Sequence, residues 1–292
     1  MATVAFIGLG NMGGPMAANL VAAGHTVRGA DMVPAACDAA RQAGVTVCDG
    51  GAQAVQGAQA AILMLPAGRH VVAVMEEIAP SLSPDALVID CSTIDIASAR
   101  RFHEMAAAAR VASVDAPVSG GVMGARNATL TFMCGGQDAA LDRAASFLDT
   151  MGARTVRCGA PTAGQAAKVC NNMILAATMI VTGEAFEMGR RLGLDSQALF
   201  DVISTASGQS WSTTTYCPVP GPVPTSPANN DYKPGFAASL MVKDLTLAEE
   251  AANSVDARTP MGKRALELYR DFVENGGGDT DFSGIIKMLQ DD

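Results

Sequence analysis

The chain has 292 residues, of which 49% are apolar and 17% charged, so it can bury the cores of two ordinary domains and is not a disordered chain. Its formal net charge of -9 excludes the broad basic surface that nucleic acids and anionic membranes require. Seven scattered cysteines without a C-x-x-C pair indicate thiols of a reducing, cytoplasmic compartment, and three histidines without helically spaced partners predict no metal site.

The first half of the chain alternates short apolar runs with longer alanine-rich segments. The predicted strands are Val4–Ile7, Thr26–Ala30, Val45–Val47, Ala60–Leu65, Leu87–Asp90, Val111–Asp115 and Leu130–Met133. Predicted helices, such as Met12–Ala23 and Ala97–Ala109, lie between most of them. This order is typical of a doubly wound α/β domain with a parallel sheet covered on both faces, which we place at residues 1–162.

A glycine-rich turn joins the first predicted strand to the first helix. It reads Gly8-Leu9-Gly10-Asn11-Met12-Gly13. Gly8 permits a tight turn, Gly10 lets the backbone approach a pyrophosphate, and Gly13 allows close packing of helix on sheet. The unpaired N–H groups of the helix N-terminus then favour the negative charge of the pyrophosphate. The context predicts a Rossmann-type dinucleotide site, and the alternative is a tight turn that binds nothing.

The second predicted strand ends at Asp31, 18 residues after Gly13. A carboxylate there accepts hydrogen bonds from a ribose 2′-hydroxyl and repels a 2′-phosphate, which favours NAD over NADP. Arg28 is the nearby cation that would reverse this preference if its side chain reached the same pocket. Leu65-Pro66 and Thr93 follow two later strands, at the sheet edge where ligands bind, and are further candidates for cofactor contact.

The second half of the chain is predicted to be helical over residues 163–292. The segment Gly164–Arg191 has few helix breakers and is apolar around most of its circumference, which predicts a long buried helix. The stretch Tyr216–Pro234 holds six prolines and is expected to be irregular. Helices are predicted to resume over Ala238–Ala252 and Pro260–Glu274.

Two clusters are candidates for substrate chemistry. Ser119-Gly120-Gly121 follows a predicted strand and exposes several N–H groups beside one hydroxyl, an arrangement that suits a carboxylate or merely reverses the chain. Lys168 and Asn172 share one face of the long helix, where a buried lysine requires a partner or a wet cavity unless it extends to solvent. Lys243 is a weaker candidate, because the adjacent Asp244 is equally typical of a solvated helix face.

These residues resemble the β-hydroxyacid dehydrogenase family over essentially the whole chain. The shared motifs are Gly8 to Gly13, Asp115-Ala116-Pro117-Val118-Ser119-Gly120-Gly121, Gly164-Gln165-Ala166-Ala167-Lys168 with Asn171-Asn172, and Lys243-Asp244-Leu245. The resemblance implies an NAD-dependent oxidoreductase that forms a homodimer or homotetramer. It also implies that Lys168 is the catalytic lysine with Asn172 as its hydrogen-bonding neighbour. Ser119, Gly120 and Gly121 would hold the substrate carboxylate, and Lys243 would lie beside the nicotinamide.

The segment from Trp211 to Phe236 resembles the branch of that family that oxidises 3-hydroxyisobutyrate in valine breakdown. The resemblance implies that Trp211 and Phe236 shape the substrate pocket. L-serine, tartronate semialdehyde and other small 3-hydroxy acids or semialdehydes remain alternative substrates, because selectivity for one methyl or hydroxyl is fine-grained. A non-catalytic NAD-binding sensor is the remote alternative, although it would not need Lys168, Asn172 and Ser119 together.

Overall fold

The computed structural model describes residues 1–290, which form two compact units. The first is Met1–Lys168, and the second begins at Val169. The division lies inside one long helix. The boundary expected between residues 162 and 163, where that helix begins, therefore stays a prediction.

The first unit is built on a nine-stranded sheet. Its strands are β1 (Thr3–Ile7), β2 (Thr26–Ala30), β3 (Thr46–Val47), β4 (Ala60–Leu63), β5 (Leu87–Asp90), β6 (Ala112–Asp115), β7 (Val118–Ser119), β8 (Leu130–Gly136) and β9 (Gly152–Gly159). The first six are parallel, in the order β3-β2-β1-β4-β5-β6. Connections that leave β1 on opposite sides, toward β2 and β4, create a crevice at the carboxyl ends of those strands.

The far edge of the sheet departs from the expected parallel pattern. Strands β6 and β7 both pair antiparallel with β8 in one continuous register, with Val114 opposite Gly136 and Val118 opposite Phe132. They are separated at Pro117, which has no N–H to donate. Strand β9 pairs parallel with β8, and Gly152 is its only buried residue, so its sequence has no apolar pattern of a buried strand. The doubly wound fold is confirmed, and the expectation of a wholly parallel sheet is wrong at this edge.

Seven helices follow or connect these strands. They are α1 (Gly13–Ala22), α2 (Pro34–Gln42), α3 (Gly51–Ala54), α4 (Gly68–Ile78), α5 (Ile96–Ala108), α6 (Gly121–Arg126) and α7 (Asp138–Met151). Side chains alternate along β1, so that Val4 and Phe6 enter one buried cluster while Ala5 and Ile7 enter another. The sheet therefore has a core on each face, as its apolar strands predict.

The second unit is helical. It contains most of α8 (Ala163–Arg191), followed by α9 (Ser196–Ile203), α10 (Trp211–Thr214), α11 (Ala238–Ser254), α12 (Pro260–Phe272) and α13 (Lys287–Gln290). The proline-rich stretch has one short 3-10 turn at Pro227–Asn230. A core around Tyr269 and Phe282 holds α8, α11 and α12 together.

Helix α8 was expected to be buried on all sides, and on one face that expectation is wrong. Ile174, Val181 and Met188, seven residues apart, are 60%, 55% and 61% exposed. By length and composition alone α8 could cross a membrane, a test that core helices of soluble proteins also pass. Its opposite face carries Met179 and Ile180, which pack in the core of the second unit.

Candidate active site

A cleft of about 1610 Å³ lies in the first unit, at the carboxyl ends of β1, β2 and β4. Its walls are the glycine-rich turn after β1, the turn after β2 and the loop after β4. Seven of the predicted cofactor residues line the cleft: Gly8, Leu9, Gly10, Asn11, Asp31, Leu65 and Pro66. The crevice at the point where strand order reverses is thus formed by residues far apart in sequence.

The three glycines of the turn differ in what a side chain at each position would contact. Gly8 has φ of 94°, and a Cβ there would lie 2.2 Å from the carbonyl oxygen of Met64. A Cβ on Gly13 would lie 1.9 Å from the carbonyl oxygen of Gly8, so this residue allows the close packing predicted for it. A Cβ on Gly10 would meet nothing within 4 Å, which leaves that side of the turn open toward the cleft.

Helix α1 begins at this turn without a side-chain cap or an acidic residue in its first turn. Its first N–H groups therefore favour an anion, as the pyrophosphate of a dinucleotide requires. Asp31 stands beside them: its Oδ2 accepts from the Leu9 N–H at 2.6 Å and its Oδ1 from the Val33 N–H at 2.8 Å. Arg28 donates instead to the Gln56 carbonyl at 2.6 Å and does not line the cleft.

The cleft also contains residues that the motifs did not indicate. His70 and Glu77 lie on one face of α4, and Asp49 precedes α3. Within residues 1–290, Arg126 at the end of α6 is the only lysine or arginine that lines the cleft. It is brought there by a long-range contact, because the Asn19 side chain on α1 donates to the Ala125 carbonyl at 2.7 Å. No local sequence pattern predicts a contact between residues that are 106 positions apart.

Helix α8 begins against the end of β6. The carboxylate of Asp115 is fully buried, and its Oδ1 accepts from the Thr162 N–H at 2.8 Å while its Oδ2 accepts from the Gln165 N–H at 2.9 Å. His103 contacts the same Oδ1 at 2.8 Å. A Cβ on Gly164 would lie 2.2 Å from the Met133 carbonyl oxygen, so only glycine lets the helix approach this closely. The first turn of α8 is therefore held by the sheet.

The two predicted catalytic residues follow on this helix. Lys168 and Asn172 are both buried, and their spacing of four residues puts them on the same face. The Asn172 side-chain nitrogen donates a hydrogen bond to Oδ2 of buried Asp244 on α11. Asp244 follows Lys243, which is half-buried rather than part of a fully solvated face. The sequence indicated Asp244 only as a neighbour of that lysine.

The predicted carboxylate-binding residues lie at the far edge of the sheet. Ser119 is in β7, and Gly120 and Gly121 have φ values of 131° and 61° at the start of α6. The value at Gly120 requires glycine, the value at Gly121 favours it, and together they turn the backbone sharply after the serine. Thr93, Met12 and Gly13 do not line the cleft of the first unit.

The two predicted pocket residues of the second unit belong to one aromatic group. Trp211, 49% exposed, stacks on Tyr216 at 4.9 Å, and Tyr216 stacks on Phe282 at 5.4 Å, which also contacts Phe236. Asp281 organises the group: its Oδ2 accepts from the Tyr216 hydroxyl at 2.9 Å and from the Phe236 N–H at 3.0 Å. Burial and this carboxylate raise the pKa of Tyr216, so its hydroxyl stays a donor.

Two family models match the chain in succession. The first, described as the NAD-binding domain of 6-phosphogluconate dehydrogenase, matches residues 3–160. The second, described as NAD-binding of NADP-dependent 3-hydroxyisobutyrate dehydrogenase, matches residues 162–289. The cleft and the helical second unit thus each lie within a region that nicotinamide-dependent dehydrogenases share.

Relatives match the whole chain. A probable 3-hydroxyisobutyrate dehydrogenase of Mycobacterium bovis is 49% identical over 290 residues, covering 99% of this chain and 98% of its own. An NAD-dependent L-serine dehydrogenase of Pseudomonas aeruginosa is 44% identical, covering 99% and 98%. A solved structure of Mycobacterium tuberculosis 3-hydroxyisobutyrate dehydrogenase with L-serine covers 100% of both chains, with a TM-score of 0.97 and 49% identity.

Proposed function

This chain belongs to the β-hydroxyacid dehydrogenase family, and on that premise we propose that it oxidises 3-hydroxyisobutyrate to methylmalonate semialdehyde, the reaction of valine breakdown, using NAD. One observation carries the proposal. Lys168 is buried one turn after the point where α8 is fixed to the sheet that also forms the dinucleotide cleft. Burying a lysine costs free energy, and a proton-transfer group is one that requires such a fixed position.

In the proposed reaction the chain's residues hold the substrate and move one proton. Ser119 and the N–H groups of Gly120 and Gly121 bind the carboxylate, and Lys168 Nζ takes the hydroxyl proton. Bound NAD would supply the acceptor for the hydride from the carbon that carries this hydroxyl. A lysine that acts as a base near neutral pH needs a pKa lowered from about 10.4 towards 7–8, and a charged lysine serves as the acid in the reverse direction.

Asp31 supports NAD rather than NADP as the cofactor. Its carboxylate is fixed at the rim of the cleft by two backbone N–H groups, where it would accept from a ribose hydroxyl and repel a 2′-phosphate. The alternative cation, Arg28, is engaged with the Gln56 carbonyl. The expected ratio of kcat/KM for NAD over NADP is therefore well above one.

L-serine is the second candidate substrate. The Pseudomonas aeruginosa relative is named for serine oxidation, and the mycobacterial structure contains L-serine. Initial rates of NADH formation with both 3-hydroxyisobutyrate enantiomers, L-serine, D-glycerate and 3-hydroxypropionate distinguish the candidates. A higher kcat/KM for one 3-hydroxyisobutyrate enantiomer supports the proposal, and a large preference for serine replaces it with the second candidate.

Lys168→Met tests the catalytic assignment. Loss of a positioned proton-transfer group lowers kcat by about 10²–10⁴-fold. NAD affinity, measured by fluorescence titration, should remain close to that of the wild type. The matched control is Lys263→Met, which removes an exposed lysine of α12. Normal turnover in the Lys168 variant would rule out its role, and no turnover in the wild type with NAD still bound would favour a sensor.

The exposed apolar face of α8 supports a homodimer or homotetramer. Ile174, Val181 and Met188 lie along one side of the helix, and Leu192 extends the row at 73% exposure. A second copy of the chain would remove this surface from water. Val181→Glu should lower the mass measured by size-exclusion chromatography with light scattering. Wild-type protein that runs as a monomer at micromolar concentration would contradict the proposal.

A cytoplasmic location is proposed from the thiols. All seven cysteines are free, which is the state that a reducing compartment maintains. Fractionation of the source cells should recover the protein with soluble cytoplasmic markers, and recovery with secreted or membrane material would contradict this location.

A further inference from the structure

Gln165 occupies an unusual position between two functional segments. It is fully buried in the first turn of α8, three residues before Lys168. Its side-chain nitrogen donates to the Ser92 carbonyl at 2.7 Å, and its side-chain oxygen accepts from the Ile94 N–H at 3.1 Å. One amide therefore binds both sides of Thr93, in the loop after β5.

The loop that Gln165 holds is itself connected to the cofactor cleft. The Ser92 hydroxyl accepts from the Leu65 N–H at 2.9 Å, and Leu65 lines the cleft. The Ser92 N–H donates to Asp90 Oδ1 at 3.0 Å, at the end of β5. The loops that follow β4 and β5 are thus joined to each other and, through one side chain, to α8.

The main chain of Gln165 is fixed as firmly as its side chain. Its N–H donates to Asp115 Oδ2 at the end of β6, and the preceding Gly164 packs directly against the carbonyl oxygens of Met133 and Asp115. Residues three apart on a helix are neighbours, with Cβ atoms about 5–6 Å apart. The anchored glutamine and the buried lysine therefore share one helical turn.

We propose that Gln165 is a positioning residue, which sets Lys168 at a fixed distance from the Thr93 loop and thereby from the loop after β4 that lines the cofactor cleft. This inference rests on the proposed function of Lys168. An apolar side chain of the same size would fill the space, but it would leave the Ser92 carbonyl and the Ile94 N–H without their partner. The amide therefore fixes the position of the loop relative to the helix through two hydrogen bonds, which an apolar side chain could not make.

The first test needs neither substrate nor cofactor. Hydrogen–deuterium exchange of the full-length protein, read on peptides covering residues 92–95, reports the Ile94 amide. Gln165→Met should accelerate this exchange, because methionine has no oxygen to accept. Gln165→Glu should retain the protection, since a carboxyl oxygen accepts in either protonation state. Gln137→Met, at an exposed glutamine before α7, is the matched control and should leave the peptide unchanged.

The second test separates positioning from stability. Misplacement by about 1 Å can lower a rate about 10²-fold, so Gln165→Met should lose kcat to about that extent while KM for NAD changes little. Gln165→Glu, which keeps one of the two bonds, should fall between this variant and the wild type. Melting temperatures identify any variant that is merely unfolded, and the glutamate variant then carries the comparison.

Each remaining outcome counts against the inference. Unchanged protection of the 92–95 peptide in Gln165→Met would show that the amide does not hold the loop. Faster exchange with unchanged kcat would show that the loop position is irrelevant to catalysis. If the wild type protects the loop through Gln165 but oxidises no hydroxy acid, the proposed function fails, and Gln165 is reduced to a structural link.

Discussion

Replacing Asp31 with asparagine tests the cofactor site and its internal support together. The carboxylate supplies one acceptor to the Leu9 N–H at 2.6 Å and another to the Val33 N–H at 2.8 Å. An amide has a single acceptor oxygen, so one of these backbone donors loses its partner. The Val33 N–H is exposed and can bind water instead, so the loss costs about 0.5–1.5 kcal/mol, which corresponds to a fall in melting temperature of roughly 1–6 °C for a domain of this size.

The same substitution changes the cofactor preference. A hydrogen bond between a carboxylate and a hydroxyl is worth about 1.5–3 kcal/mol, so KM for NAD should rise about 10- to 100-fold. KM for NADP should rise less or fall, because repulsion of the 2′-phosphate is removed. Thermal unfolding of the cofactor-free protein gives the first effect, and initial rates with the two cofactors give the second.

The control is Asp38→Asn on α2, where the partner Arg41 is 2.6 Å away but both side chains are more than half exposed. An exposed ion pair contributes only about 0–1 kcal/mol, so this variant should behave like the wild type. An Asp31→Asn protein with wild-type melting temperature and an unchanged NAD/NADP ratio would refute both parts of the reasoning.

Three further variants probe other contacts. Arg126→Met should raise KM for NAD about tenfold, since one charge-assisted contact in a partly exposed cleft is worth about 1.5 kcal/mol. Gly164→Ala should lower unfolding stability by more than about 2 kcal/mol in urea titrations, because its Cβ would lie 2.2 Å from a carbonyl oxygen. Two arginines hold the pKa of Glu187 at about 2, below its usual 4.5, so the carboxylate stabilises the fold above pH 4.5. Glu187→Gln should therefore be less stable than the wild type at pH 7, and the difference should shrink as pH falls from 4.5 towards 2.

Matched variants sharpen these expectations. Arg154→Met removes an exposed arginine of β9 and should leave KM for NAD unchanged, so an equal effect at both positions would point to general electrostatics. Gly10→Ala meets nothing within 4 Å and should stay folded while it weakens NAD binding, the reverse of Gly164→Ala. A stability difference for Glu187→Gln that stays constant from pH 7 to pH 3 would contradict the depressed pKa.

The dinucleotide domain could be predicted because its signals are local. Buried parallel strands give short apolar runs, and one turn holds the three glycines, each with a steric or ligand-facing reason. Asp31 follows a buried strand directly, so its place at the cleft rim follows from the sheet topology alone. The positions that were missed in the same unit depend on contacts that no local pattern contains. Arg126 reaches the cleft because α6 packs on α1, and β9 joins the sheet although Gly152 is its only buried residue.

The predicted burial of α8 failed for a different reason. A helix that is apolar on all sides is expected to be buried on all sides. The sequence does not show whether the residues that bury a given face belong to the same chain or to another copy. Val181 and Met188 are exposed within one chain, which is why the oligomer proposed above needs its own test. Asp281 was missed because an aspartate near a chain end resembles a solvated residue, whereas here it is fully buried under Tyr216.

The start of α8 shows what the position of Lys168 requires. A helix is capped most simply by a serine or aspartate at its own N-cap, which satisfies the free N–H groups locally. Here Thr162 precedes the helix with φ of 79°, a conformation that a β-branched residue adopts only under strain of roughly 1–3 kcal/mol. The capping oxygens come instead from Asp115, 47 residues earlier, at the end of a strand. A local cap would have formed the helix equally well, but only a cap from the sheet also fixes the helix to the loops that surround the cofactor cleft. The strain is therefore explained if the quantity under selection is the position of Lys168 relative to the sheet.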